Sequence, residues 1–363
     1  MIEIAKQYRR IETDDIGSFP LPSGISKKAC HSAAMLFHKA WLKGLKFDEI
    51  EKNRYIKSNF IEPLIQTFML KQATGLDYPN YPQFRDMNTQ FLALLNDSLS
   101  IAPEEAIIPE IEVLHEFAER KYEEKGEKTS LQVCITGPIE LAIAKFEPSV
   151  VSDELIVQLA LVVAEFVSNS VKKTEFLETA IISIDEPRLG LVDLPMLSDD
   201  GIIHALNIVT KECASTRGLI HLHSFSKAAL VAEVKYINII AGEFASDPNN
   251  YVFVDQTLFR KSHKKLRAGI AISSFDSLLN RYYEAKGVDK HILKSPEALM
   301  KTLEPVKTIH SRLKKVLKDF GDIVVLVGPD CGLGGWIFPE VAAQMLINIV
   351  DVVQKVNKDY KSL

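Results

Sequence analysis

Residue types that bind metals or carry protons recur where apolar, strand-like stretches of this chain end. His221 and His223 close the run Gly218-Leu-Ile-His-Leu-His-Ser-Phe225. Side chains alternate along a strand, so residues two apart share a face. Two imidazoles therefore leave one strand end together, and neutral imidazole is a good ligand for Zn²⁺. The plainer alternative is a pair of hydrogen-bonded histidines in a polar loop. Other stretches end in Ser18, Thr136, Asp185 with Glu186, Glu243, Ser273 with Ser274, and Asp330 with Cys331. Each alone reads as a helix cap, a surface acid or a core thiol. Taken together, His221, His223, Glu243 and Cys331 offer the nitrogen, oxygen and sulfur donors of a four-coordinate zinc site.

Such donors meet only if the stretches that carry them lie side by side. Residues 130–138, 180–187, 218–225, 236–244, 266–274 and 322–332 read as strands. Helical spacing fills the intervals, as in residues 27–45, 60–74, 108–124, 153–178 and 339–357. Ser198-Asp-Asp200 reads as an N-cap for a further helix. Strands alternating with helices imply parallel pairing. Up to eight strand-like steps can be counted, the first two poorly defined, and the expected architecture is α/β, a (β/α)₈ TIM barrel in a single domain over residues 1–363. The strands near Ala180, Tyr236 and Asp322 are continuous apolar runs, as strands covered on both faces are. An open doubly wound sheet of the dinucleotide-binding kind would carry a Gly-rich loop after its first strand, and no GxGxxG occurs. In a barrel the active site lies at the C-terminal strand ends, where these polar residues fall.

Composition narrows the class. The 363 residues are 47% hydrophobic, enough for a large core. A net charge of −5 gives no argument for nucleic acid as partner. The four cysteines, Cys30, Cys134, Cys213 and Cys331, are far apart and form no CxxC pair or disulfide framework. Met1 to Arg10 is too charged for a signal peptide, and the apolar runs fall short of the ~20 residues of a membrane helix. The expectation is a cytoplasmic protein that takes a small-molecule substrate, with no membrane.

Several pieces, in order along nearly the whole chain, carry a resemblance. They are Ile16-Gly-Ser-Phe-Pro20, Thr136-Gly-Pro138, Ile184-Asp-Glu-Pro187, Ile220-His-Leu-His223, Glu243 and Pro329-Asp-Cys-Gly332. The sequence resembles the C-terminal catalytic half of cobalamin-independent methionine synthase, including its short archaeal-type forms. That resemblance implies a TIM barrel related to uroporphyrinogen decarboxylase, and Zn²⁺ as cofactor to activate the thiol of homocysteine for methyl transfer. It implies His223, Glu243 and Cys331 as zinc ligands. It also implies Ile16 and Ser18 at the amino-acid carboxylate, and Asp185 as the catalytic-site acid at the amino group.

This chain departs from the family pattern in four ways. The family's second zinc cysteine falls at Phe225, so His221 is the candidate substitute ligand. Gln83, in Tyr81-Pro-Gln-Phe-Arg-Asp-Met87, is the nearest match to a family Glu that helps hold the substrate amino group. Ala271-Ile-Ser-Ser274 replaces a segment whose His assists proton transfer. The N-terminal barrel of the long enzymes, which helps bind polyglutamyl folate, is absent. Methyl-folate needs its leaving nitrogen protonated, whereas a methyl-corrinoid needs no general acid. The expected activity is therefore a zinc-dependent methyltransferase acting on homocysteine or a related thiol, with a methyl-corrinoid donor, free or on a partner protein. The alternatives are a coenzyme-M-type thiol methyltransferase, a decarboxylase of the same superfamily, a metal hydrolase, and a non-catalytic metal- or corrinoid-binding homologue. Three side features have two readings each. Trp336 covers the pocket mouth or the barrel rim. Tyr78, Tyr81 and Phe84 form a lid or a packed loop. The basic run 260–267 docks an acidic partner or faces solvent.

Overall fold

The computed structural model describes residues 10–287 and 295–361. The charged N-terminal stretch up to residue 9 lies outside them. Seven strands form one sheet: β1 (Glu12–Thr13), β2 (Thr129–Thr136), β3 (Leu177–Asp185), β4 (Arg217–Leu222), β5 (Ile239–Glu243), β6 (Lys265–Ala271) and β7 (Val324–Pro329). Their order is β1-β7-β6-β5-β4-β3-β2, and every neighbouring pair is parallel. Helices follow the strands and bury the outer face. Inside the curl, Ile181, Leu219, Ile239, Ala241 and Leu326 pack together as a second, smaller apolar cluster. Strands covered on both sides must be apolar on both sides, and every residue of β7 is buried.

The seven-strand ladder does not close into the eight-stranded barrel expected from the sequence. Its two edges, β1 and β2, are joined through residues 78–83, which read as a loop. Isolated parallel bridges pair Asp14 with Tyr78, Ser18 with Gln83, and Asn80 with Gln132. Pro79 and Pro82 explain why no regular strand forms there, since neither has an N–H to give to a ladder. Side chains do the remaining work. Asn80 Nδ2 donates to Gly17 O at 2.7 Å, and Asn80 Oδ1 accepts from Cys134 N at 3.2 Å. Beside them lies a buried ion pair, Lys71 Nζ to Asp15 at 2.7 Å, with Lys71 also donating to the Asn80 carbonyl.

The helix expected over residues 153–178 ends early. It spans Asp153–Ser170, and β3 already begins at Leu177. No Gly or Pro marks that change, so the apolar pattern ran on across it. Ser198 caps the helix Asp199–Lys211 as expected, its side chain accepting from Gly201 N at 2.9 Å. Among the described residues no helix is long and apolar enough to cross a membrane.

Candidate metal centre

His221, on β4, is in register with Asp185 on β3 and Ala241 on β5. His223 lies two residues further on the same face, just past the strand. Glu243 ends β5, and Cys331 follows β7 by two residues. The structure brings these four together: one donor atom from each lies within 4.8 Å of the others. His223 Nε2 is 3.5 Å from Cys331 Sγ and 3.4 Å from Glu243 Oε1. The two imidazole rings stand 5.3 Å apart at 66°. A tetrahedral zinc, with bonds of about 2.0–2.3 Å, holds its ligand atoms roughly 3.3–3.8 Å apart. The spacing around His223 therefore fits the ion. His221 adds a second mark: it is 1% exposed, yet neither ring nitrogen has a hydrogen-bond partner. A buried imidazole left wholly unpaired is costly.

Burial governs the electrostatics. It lowers His221 well below the ordinary histidine value, helped by His223 and Arg267. It lowers His223 too, against the pull of Glu140 and Asp330. Glu243 is raised, and the Cys331 thiol is pushed up to about 12, by burial first and the Glu243 carboxylate second. Without a cation the cluster thus favours neutral groups. A divalent ion reverses that preference for the thiol and the carboxylate, so binding it releases protons.

The backbone that carries His223 and Glu243 is stitched by a residue that the sequence did not flag. Asn250 is fully buried, and its Nδ2 donates to His223 O at 2.8 Å and Glu243 O at 2.7 Å. Its Oδ1 accepts from Phe225 N at 2.9 Å. Asn250 lies in Asp247-Pro-Asn-Asn250, which reads as an ordinary turn. Asp330 is a second organiser. Its buried carboxylate, raised to about 6 by desolvation, accepts from Phe244 N, Ala245 N and Ser246 N.

The cluster opens on a cavity of about 380 Å³. His221, His223 and Cys331 line it, together with Ile16, Ser18, Gln83 and Asp185. Asp185 accepts from Ser183 Oγ at 2.7 Å, and desolvation raises its carboxyl to about 7. Ser18 is locked against the turn after β7: Leu333 N donates to Ser18 O at 2.7 Å and Gly334 N to Ser18 Oγ at 3.3 Å. A side chain at Gly332 or Gly334 would collide with Ser18, which explains the glycines there.

Phe225 does not face this cavity. The chain turns into a short 3-10 helix at Phe225–Lys227, which swings the ring into the outer core. There it meets Phe244 at 5.3 Å, and a Cβ on Gly242 would stand 1.9 Å from the ring. Simple alternation would have placed residue 225 beside His221 and His223. Thr136, Glu186, Ser273 and Ser274 are taken up structurally. Thr136 Oγ1 donates to Met87 O at 2.6 Å. Glu186 accepts from Ile139 N and Glu140 N at the start of the helix Pro138–Lys145. Ser274 caps the helix Phe275–Lys286, and Ser273 O accepts from Trp336 Nε1 at 2.6 Å. Trp336 packs on Phe275 at the rim, 4% exposed. Tyr81 and Phe84 are buried and Tyr78 bonds Glu12, so these rings form a packed segment and not a lid. In the basic run, Lys264 donates to two carbonyls, Arg260 pairs with Asp322, and Arg267 is wholly buried. Lys264 and Arg267 are thus spent inside the fold, while Arg260 makes a surface ion pair.

No family model and no curated protein matches the sequence. Solved structures do. One is a B12-independent methionine synthase from Shewanella sp. W3-18-1 in complex with selenomethionine, at TM-score 0.59 and 15% identity, covering 98% of this chain and 100% of that one. The chain has the fold of that enzyme. Another is a protein designated a vitamin-B12-independent methionine synthase from Listeria monocytogenes, at TM-score 0.55 and 15% identity, covering 96% of this chain and 99% of that one. At this identity the likeness speaks for the fold, and the chemistry rests on the cluster and its cavity.

Proposed function

We propose that this protein is a zinc-dependent methyltransferase that methylates a thiol, homocysteine or a close relative. The observation that carries the reading is the cluster of His221, His223, Glu243 and Cys331, three of which line a cavity of about 380 Å³. Bound zinc supplies the Lewis acidity that holds a thiol as its thiolate at neutral pH. His223, Glu243 and Cys331 would hold the ion, with His221 as the fourth ligand. Asp185 and Gln83 receive the polar end of the acceptor, beside the backbone of Ile16 to Ser18. No protein nucleophile is needed for in-line transfer to a thiolate.

A methyl-corrinoid is the proposed donor over methyl-folate. Support comes from the segment after β6, where Ser274 caps the following helix and the Ser273 carbonyl accepts from Trp336, and where neither residue is a carboxylic acid or imidazole that could serve as general acid. The test supplies zinc-loaded protein with methylcobalamin or methyltetrahydrofolate, and homocysteine or other small thiols. Thioether formed from methylcobalamin supports both parts. Turnover with folate alone overturns the donor, and no methylation of any thiol from either donor overturns the function.

A further inference from the structure

Arg267 has no place in the cluster, yet it is among the largest fully buried side chains of the described residues. It sits on β6 in register with Ala241, which is itself in register with His221. The small Ala241 side chain separates the imidazole and the guanidinium by two strand positions. Arg267 Nε donates to Asp14 at 3.0 and 3.3 Å. Nη1 and Nη2 have no partner. Nη2 lies against Gly328, three residues before Cys331, and a Cβ there would stand 2.5 Å from it. That Cβ would also stand 2.3 Å from the Asp14 carbonyl, so the glycine leaves room for both members of the ion pair. Leaving two buried N–H₂ groups unpaired is expensive, and a neutral side chain would be cheaper if only packing mattered. The charge reaches the site as well. Arg267 works against burial at Asp185, Glu243 and Cys331, favouring the anion in each case.

We propose that Arg267 is a positioning residue whose buried guanidinium compensates the negative charge that a substrate thiolate brings to the cluster. This rests on the function proposed above. Zn²⁺ with the Cys331 thiolate and the Glu243 carboxylate is neutral, so an arriving thiolate makes the centre anionic. Two strand spacings are about 10 Å. At that distance and an effective dielectric of about 20, one charge shifts an equilibrium about tenfold. Asp14 offsets part of the guanidinium charge.

The test compares two small ligands that differ by one S-methyl group on zinc-loaded protein by calorimetry: 2-mercaptoethanol, which binds as an anion, and 2-(methylthio)ethanol, which does not. Arg267→Met combined with Asp14→Asn removes the ion pair without stranding a carboxylate. It should weaken thiol binding about threefold, the part of the roughly tenfold single-charge effect that Asp14 leaves, and leave thioether binding at about the wild-type value. Arg267→Lys, which keeps the charge, should bind the thiol at about the wild-type affinity. Asp14→Asn alone frees the guanidinium of its counter-charge and should tighten thiol binding severalfold, so the proposal stays testable if the double variant fails to fold. Equal losses for both ligands mean a merely structural role and overturn the proposal. Unchanged thiol affinity in the double variant, or weaker thiol binding in Asp14→Asn, overturns it too. Wild-type protein that binds neither ligand overturns the proposed function, and the inference with it.

Discussion

Asn250→Ala tests whether the metal centre is held by its surroundings or only by its ligands. The side chain makes hydrogen bonds to His223 O, Glu243 O and Phe225 N at 2.7–2.9 Å, all inside the protein. Each such bond contributes about 1 kcal/mol net, and an orphaned buried partner costs about 1–3 kcal/mol. Part of that loss is recovered where water reaches the cavity left behind. Destabilisation of about 3–5 kcal/mol follows, read as the shift in urea unfolding of the metal-free protein. The carbonyls of His223 and Glu243 are then free to drift, so the ligands lose their fixed spacing. Loss of an outer partner of a metal site lowers affinity about 10–100-fold. Zinc competition with a chromophoric chelator measures it. A variant destabilised by less than about 1 kcal/mol, or one that holds zinc as wild type does, refutes the reasoning.

Three further outcomes are expected. Phe225→Cys restores the residue type of the resembling family but adds no ligand, because that position faces the outer core. It should leave chelator-measured zinc affinity unchanged and cost about 3 kcal/mol as a large-to-small core substitution. Asp185 sits near 7 when folded against 3.8 as an ordinary carboxyl, so folding favours its protonated form. Its contribution is full below about pH 4 and is lost as pH rises to about 7, by a few kcal/mol at about 1.36 kcal/mol per pH unit. Asp185→Asn should therefore flatten that part of the stability–pH curve in metal-free protein, and an unchanged slope would contradict the assignment. Gly242→Val places a side chain on the Phe225 ring and should destabilise the protein by more than about 3 kcal/mol in urea unfolding, or force the ring to shift in a crystal structure.

The meeting of His221, His223, Glu243 and Cys331 was legible in the sequence because parallel strands bring such residues together in a simple way. A ligand at the C-terminal end of a continuous apolar run needs only the strand to be placed. His221, His223, Glu243 and Cys331 each met that condition. Phe225 was misplaced because alternation holds only while the strand lasts, and the chain turns at Ser224. The eighth barrel position was hidden by Pro79 and Pro82, which read as loop markers and leave only single bridges. Asn250 and Arg267 could not be read at all. One looks like a turn residue and the other like part of a surface basic run, and only tertiary packing turns them inward.

The central claim is the metal site, and X-ray absorption at the zinc edge of zinc-loaded protein tests it most directly. The account predicts one zinc per chain, with one sulfur and otherwise nitrogen and oxygen neighbours. It predicts that Cys331→Ser loses the sulfur signal, and that Cys331→Ser and His223→Ala no longer hold stoichiometric zinc. A wild-type protein without zinc, or both variants still carrying one zinc per chain, would contradict it.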